Sequence, residues 1–118
     1  TDMDSECKKV FASIDECYHD ITFLQHDMRN GMPLNMRPDL VINTSSEHVT
    51  QEVYDAWWNS IPTGTKYIVQ GNNLENHEHV RLADNLAHFL TINNIKDPQY
   101  AGMLKCGHFY RYMAVGYK

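Results

Sequence analysis

The segment Pro38–His48, with the sequence PDLVINTSSEH, contains the strongest candidates for catalysis in this chain. It passes from a proline through a short β-favouring run into small polar side chains, and it ends on Glu47 and His48. A histidine titrates near neutral pH and a neighbouring carboxylate can orient it, so this pair can serve as a general acid and base. The same two residues can instead cap the helix that follows, and both interpretations stay open.

Polar side chains also follow the other predicted strands. Counting a strand that would precede the first helix, the groups that follow the strands are Asp2 and Asp4, His26 and Asp27, Asn43–His48, and Gln70–Asn73. Because the ligand of an open α/β sheet binds beyond the carboxyl ends of its strands, we expect these side chains to converge on one edge. One carboxylate there can accept both hydroxyls of a ribose, and another can accept an adenine amino group. The pattern favours a site for a nucleoside cofactor.

The histidines suggest a second kind of site. His77 and His79 alternate in the sequence HEH, so on an extended segment they point to the same side. With His48 or His108 they could bind a transition metal, but nothing in the sequence identifies a distant third ligand. We therefore expect a solvated loop here and assign no metal ligand.

The elements that position these residues follow from local patterns. The run Ile21–Asp27 predicts a strand, and Asp39–Asn43 predicts a strand covered on both faces, as in parallel sheets. Val53, Trp57 and Ile61 recur every four residues after Thr50, which predicts an amphipathic helix. The run 65–71 predicts the next strand.

The two ends of the chain complete the pattern. Apolar residues between Asp4 and Cys17 recur at helical spacing and predict an amphipathic helix. Val80, Ala83, Leu86 and Leu90 predict another helix. The last segment, 99–118, predicts an antiparallel hairpin that turns near Gly107.

This alternation predicts the fold class. We expect one α/β domain over residues 1–118, with a mostly parallel Rossmann-like sheet, helices on both faces and a C-terminal antiparallel hairpin. We expect the domain to be incomplete at its N-terminus and to lack its first strand.

The composition of the chain disfavours several classes of partner. The chain has 118 residues, 42% hydrophobic and 21% charged, as expected for a folded domain. Its net charge of −5 and lack of a long basic run disfavour nucleic acid as a partner. No apolar run is long enough to cross a bilayer, and the three cysteines lack CxxC spacing. We expect a cytoplasmic protein with reduced thiols and no membrane partner.

The order of these elements resembles the class I S-adenosylmethionine-dependent methyltransferases. In that family an acidic residue ends the second strand, an Asp often follows the third, a PDLV-type strand is the fourth, and an antiparallel hairpin closes the sheet. The resemblance covers nearly the whole chain, and the final YRYMAVGYK is similar to the family's last strand. It implies S-adenosylmethionine as cofactor and methyl transfer to an acceptor, which we expect to be a small molecule.

The resemblance also implies roles by position. Asp2, or Asp4 in its place, would bind the ribose, and Asp27 would contact the adenine. The loop Asn43–His48 would face the methyl group and the acceptor. We assign Asn43 and Thr44 to the cofactor, Glu47 and His48 to proton removal, and Ser45, Ser46, Gln70 and Asn72 to the substrate.

One element of that family is missing. A Gly-rich turn after the first strand lets the backbone approach the cofactor, and the scattered glycines of this chain form no GxG. We therefore interpret the chain as the part of such a domain that follows this turn, and we expect it to bind cofactor weakly. Two alternatives remain: a non-catalytic α/β module that binds a ligand or partner or self-associates through an open sheet edge, and a metal-dependent hydrolase that uses the histidines.

Overall fold

The described part of the chain contains a four-stranded sheet with helical connections. The computed structural model describes residues 22 and 24–118. The elements are β1 (Leu40–Asn43), α1 (Gln51–Ser60), β2 (Lys66–Asn72), α2 (Leu86–Ile92), β3 (Tyr100–Cys106) and β4 (Phe109–Tyr117), with short 3-10 helices at Met28–Asn30 and Ser46–His48.

Most of the local elements predicted from the sequence are confirmed. Both predicted strands in the middle of the chain, the helix between them and the closing hairpin are present. The second helix begins at Leu86, later than predicted, because Asn85 caps it by accepting a hydrogen bond from the His88 amide. The predicted helix from Asp4 to Cys17 lies outside the described residues, as do Ile21 and Phe23 of the predicted strand Ile21–Asp27.

Helix α1 supplies most of the aromatic core. Thr50 caps its first turn by accepting a hydrogen bond from the Val53 amide, and Tyr54, Trp57 and Trp58 are buried along one face. The Trp58 ring meets the ring of Tyr67 on β2 edge-on, with the ring centroids 5.2 Å apart. Large aromatic side chains bury much apolar area, so this contact anchors the helix to the sheet.

Within the described residues the strand order is β1-β2-β4-β3, and of the three neighbouring strand pairs only β1 and β2 are parallel. Strand β4 lies between β2 and β3 and runs antiparallel to both. The prediction of a mostly parallel Rossmann-like sheet is therefore wrong. The hairpin was predicted correctly, but its second strand inserts beside β2, so antiparallel pairing dominates the sheet.

The prediction of helices on both faces is also wrong for the described residues. Val41, Tyr67, Val69, Tyr112 and Ala114 are buried, and the strand registers place them on the face that carries both helices. On β1 the burial alternates, since Leu40 and Ile42 are exposed. An uninterrupted apolar run in the sequence does not by itself show that both faces are covered. Within the described residues, neither helix is long and apolar enough to cross a membrane.

Candidate functional site

An open cleft of about 710 Å³ lies at the carboxyl end of β1. The end of β1, the loop after it, the first turns of α1 and the segment around the 3-10 helix Met28–Asn30 form its walls. Its polar lining includes His26, Asp27, Arg29, Asn43, Thr44, Ser45, His48 and Thr50, and its apolar lining includes Met28, Met32, Ile42, Val53 and Trp57.

The cleft brings together several residues predicted to form the site. Asp27, Asn43, Thr44, Ser45 and His48 all line it. Asn43 ends β1, and its side-chain oxygen accepts a hydrogen bond from the Ser45 amide, which turns the chain across the strand end. The convergence expected at the end of a strand is therefore present for these residues.

Other predicted site residues lie elsewhere. Ser46 and Glu47 are buried beside the cleft and do not line it. Gln70 lies between Val69 and Gly71, which are buried on the helix-bearing face, so it projects from the opposite face, where its amide donates to Met113 Sδ. The predicted ribose ligands Asp2 and Asp4 lie outside the described residues.

Asp27 is already engaged within the chain. Its carboxylate caps the 3-10 helix Met28–Asn30 through the Arg29 amide and pairs with the Arg29 guanidinium through Nε at 2.8 Å. These hydrogen bonds hold the pKa of the Asp27 carboxyl below its ordinary value, so it stays ionised at neutral pH. A ligand amino group that binds Asp27 must therefore displace part of its contact with Arg29.

Glu47 has a buried carboxyl group that makes a single side-chain hydrogen bond within the described residues. It is 3% exposed, and its Oε1 accepts a hydrogen bond of 2.6 Å from the Asn72 side-chain amide at the end of β2. Its Oε2 is buried and has no hydrogen-bond partner among the described residues. The predicted substrate ligand Asn72 is thus a positioning residue for Glu47.

Two imidazoles lie next to this carboxylate. His48 Nε2 is 3.9 Å from Glu47 Oε1, and the rings of His48 and His79 meet edge-on with their centroids 4.6 Å apart. One ligand atom from each of Glu47, His48 and His79 lies within 4.8 Å of the other two. Carboxylate and imidazole together form a donor set suited to a divalent transition metal.

The backbone brings His79 to Glu47. The Glu47 carbonyl accepts hydrogen bonds from the amides of Val80 at 2.9 Å and Arg81 at 3.2 Å. The buried Arg81 guanidinium donates from Nε and Nη2 to the Ser46 carbonyl, and it lies 3.9 Å from the centroid of the Tyr54 ring. The loop after β2 is therefore joined to the 3-10 helix Ser46–His48 by both backbone and side-chain hydrogen bonds.

Burial and nearby acidic groups have opposing effects on Arg81. Desolvation lowers the pKa of its guanidinium, and Tyr54, Asp55 and, least of the three, Glu47 partly oppose that change. Arg81 nevertheless donates its hydrogen bonds to backbone carbonyls and to Asn93 Oδ1, not to Glu47. The Glu47 carboxylate therefore has no direct cationic partner of the Lys or Arg type among the described residues.

The sequence analysis considered His79 with His48 as a possible metal ligand but assigned it to a solvated loop, and it missed Arg81 as part of this arrangement. The spacing of HEH was the only local signal for His79, because its neighbours in space lie about 30 positions away in the chain, a separation that local periodicity does not report. Nothing in the sequence marks Arg81, which lies among polar and apolar residues without a motif.

Comparisons with known proteins assign no family to this arrangement: neither the models of protein families nor the curated proteins contain a match to the chain.

Proposed function

We propose that the cleft at the end of β1 binds S-adenosylmethionine and that the protein transfers its methyl group to a small nucleophilic acceptor. One observation carries this proposal: the cleft gathers Asp27, Asn43, Thr44, Ser45 and His48 around one cavity. These are cofactor and acceptor positions implied by the resemblance to class I methyltransferases. The parallel pair of β1 and β2 and the antiparallel closing hairpin also support the proposal.

The composition of the cleft suits this cofactor. Its volume falls within the range of roughly 300 to 1,000 Å³ that small-molecule sites occupy. Met28, Met32 and Trp57 offer apolar surface for a purine, and a tryptophan ring attracts a cation such as a sulfonium. Asn43 and Thr44 offer polar groups that can bind hydroxyls of the ligand.

The reaction we propose is an in-line displacement. A lone pair of the acceptor forms a bond to the methyl carbon while the bond between methyl carbon and sulfur breaks, and its electron pair remains on sulfur. The products are the methylated acceptor and neutral S-adenosylhomocysteine, and an acceptor proton passes to a base or to water. The protein contributes chiefly by holding the reactants in line and apart from water.

The two residues predicted to remove the proton have different access to the cleft. His48 lines the cleft, whereas Glu47 is buried behind it. We assign the contact with the acceptor to His48, and we assign to Glu47 and Asn72 the positioning of the 3-10 helix that carries His48.

The proposal is tested by titrating S-adenosylhomocysteine into the 15N-labelled chain and following the backbone amide resonances. We expect saturable shifts at Asn43, Thr44 and Ser45. Because the chain lacks a GxG turn, we expect weak binding, with a dissociation constant near 1 mM, equivalent to about −4 kcal/mol. Thr44→Val should weaken this binding at least about 10-fold, equivalent to about 1.4 kcal/mol, because the variant loses a hydroxyl that can bind the ligand.

Gln70→Ala is the matched control, because Gln70 projects from the opposite face of the sheet and should leave the dissociation constant unchanged. Absence of saturable shifts, or equal shifts in the control and the cleft variant, would exclude the cleft as the cofactor site. Equal binding of adenosine and S-adenosylhomocysteine would contradict methyl transfer and favour a nucleoside-binding module.

A further inference from the structure

We propose that Glu47, His48 and His79 form a binding site for a divalent transition-metal ion, with Zn²⁺ the ion that best fits their chemistry. Their donor atoms lie within 4.8 Å of one another. Two imidazole nitrogens and one carboxylate oxygen make up a donor set found in catalytic zinc sites, in which a further coordination position stays open. The site stands on these residues and does not depend on methyl transfer.

The carboxylate of Glu47 is the first argument. An ionised carboxylate that is buried without adequate partners costs several kcal/mol, and native proteins usually satisfy such groups with a hydrogen bond or an ion. Glu47 Oε1 has the Asn72 amide at 2.6 Å, but Oε2 has no partner among the described residues. A cation beside His48 and His79 would supply the missing interaction.

The orientation of His79 is the second argument. Its Nδ1 lies 2.6 Å from the Leu74 carbonyl oxygen, which can only accept, so Nδ1 carries the proton. The lone pair of the neutral ring is therefore on Nε2. Histidines that bind metals commonly donate their other nitrogen to a backbone carbonyl in this way, which sets the tautomer and the ring orientation. The Asn72 side-chain amide likewise orients the Glu47 carboxyl group, by donating a hydrogen bond to its Oε1.

His48 connects the cluster to the cleft. Its side chain is 40% exposed and lines the cleft, while its Nε2 lies 3.9 Å from Glu47 Oε1. Ligand bonds of about 2.0 to 2.2 Å place donor atoms around a tetrahedral zinc roughly 3.4 Å apart. The donors must therefore move closer together when metal binds, and the partly exposed His48 ring is the one free to turn.

The open coordination position determines which kind of molecule the bound metal can accept. Three protein ligands leave room for a water or an oxygen donor, and the cleft beside His48 is where such a molecule can enter. An acceptor hydroxyl could occupy that position, an extension that rests on the proposed function. Coordination would lower the pKa of such a hydroxyl, as zinc does for bound water.

The site is tested with the metal alone. The full chain is freed of metal with a chelator and titrated with Co²⁺, whose visible absorption reports nitrogen and oxygen coordination, and Zn²⁺ affinity is then measured by competition. We expect one tightly bound ion for each chain. His48→Ala and His79→Ala should each weaken Zn²⁺ binding at least about 100-fold. Changing a residue that only supports a metal ligand already costs up to about 100-fold in affinity, and removing the ligand itself should cost at least as much.

His77→Ala is the matched control for His79→Ala. His77 lies two residues away, and its side chain is 87% exposed, so this variant should bind Zn²⁺ like the parent chain. Glu47→Gln keeps the acceptor that Asn72 uses and avoids a cavity, so it should fold while binding at least about 100-fold more weakly. Circular dichroism of each variant identifies any loss that comes from unfolding.

The outcomes separate the two proposals, since this titration contains no cofactor. One Co²⁺ ion with visible bands that His48→Ala and His79→Ala abolish, and His77→Ala does not, would establish the site whether or not S-adenosylhomocysteine binds. No visible bands, or equal loss of affinity in His77→Ala and His79→Ala, would overturn it. Because His48→Ala changes a partly exposed side chain, unchanged Zn²⁺ affinity in this folded variant would also overturn it.

Discussion

At the scale of single residues, burial separates side chains that are neighbours in sequence. Glu47 is 3% exposed, whereas the side chain of the next residue, His48, is 40% exposed. The short 3-10 helix that carries them turns one side chain inward and the other toward the cleft. The pair therefore divides its roles, with a buried carboxyl group behind an accessible imidazole.

Buried tyrosines give the protein a dependence of stability on alkaline pH. Burial raises the pKa of the Tyr54 phenol well above its ordinary value of 10.0, and the Arg81 guanidinium only partly opposes that rise. Burial also raises the pKa values of Tyr67 and Tyr112. Above about pH 10 the unfolded chain loses these protons first, so stability is fully present below pH 10 and falls as pH rises further.

Replacing Tyr54 by Phe tests this dependence. The variant loses a hydrogen bond of 3.3 Å to the Asn93 carbonyl, so the free energy of unfolding should fall by about 0.5 to 1.5 kcal/mol at neutral pH. The free energy of unfolding of the variant should decline less steeply at alkaline pH than that of the parent chain. The difference in slope should be at most about 1.4 kcal/mol per pH unit, which is the largest contribution of one tyrosine. Urea unfolding at about pH 9 and about pH 11 measures both effects.

Tyr117→Phe is the control for that measurement. Tyr117 is 56% exposed near the end of β4, so its removal should leave the alkaline decline unchanged. An identical decline in Tyr54→Phe and the parent chain would mean that the Tyr54 phenol does not carry the effect.

At the scale of elements, the site depends on a close approach between the 3-10 helix Ser46–His48 and strand β2. A Cβ atom on Gly71 would lie 2.9 Å from Ser46 Oγ and 3.1 Å from a ring carbon of Phe89. A side chain at this position would therefore push the 3-10 helix away from β2 or displace α2. The absence of a side chain at Gly71 lets β2 support both Asn72 and the 3-10 helix that carries Glu47.

Gly71→Ala should therefore destabilise the protein and loosen the cluster. Overpacking of this kind typically costs about 1 to 3 kcal/mol. Urea unfolding measures that loss, and amide resonances of residues 46–48 should shift beyond those of other residues at equal distance from position 71. If the metal site exists, Zn²⁺ affinity should fall as well, because Asn72 and Glu47 would separate.

Gly102→Ala is a matched substitution in another strand. The contact that a Cβ atom would make there is with the end of the Tyr100 side chain, which is 52% exposed and can move aside. We expect a change in the free energy of unfolding within about 0.5 kcal/mol, as for ordinary surface positions. Equal costs for the two glycine variants would show that strand propensity, not the contact with Ser46, sets the effect.

At the scale of the whole molecule, Arg81 joins segments that lie far apart in the sequence. Its guanidinium donates to the Ser46 carbonyl, to the Ile92 carbonyl and to Asn93 Oδ1. Through these bonds the loop after β2 connects the 3-10 helix beside the cleft with the end of α2. The geometry of the candidate site is therefore coupled to the packing of the helices on the sheet.

Arg81→Leu should strongly destabilise the protein. The substitution leaves the Ser46 carbonyl and the Asn93 side chain without these donors, and each unsatisfied buried polar group costs about 1 to 3 kcal/mol. For these two groups together we expect a loss of about 2 to 6 kcal/mol in urea unfolding. Arg29→Leu is the comparison, because the side chain of Arg29 is 68% exposed and its solvent-screened ion pair should contribute little to stability.

Local elements were predictable because their signals are local. The helical spacing of Val53, Trp57 and Ile61 and the closing hairpin follow from residues close together in the chain, whereas the alternating burial of β1 and the cap at Thr50 were not predicted. The strand order was not predictable in this way. The pairing of β2 with β4 joins positions such as Gln70 and Met113, which are 43 residues apart, and no periodic pattern specifies that register.

The candidate site likewise has some features that follow from local sequence and others that follow from long-range contacts. The residues around β1 predict that polar side chains follow this strand and that Glu47 and His48 lie next to each other there, because a strand delivers whatever follows it to the edge of the sheet. The burial of Glu47 against Asn72 and the approach of His79 to it arise only when the chain folds. Backbone hydrogen bonds from Val80 and Arg81 to Glu47 bring His79 there, and they join segments that no local pattern connects.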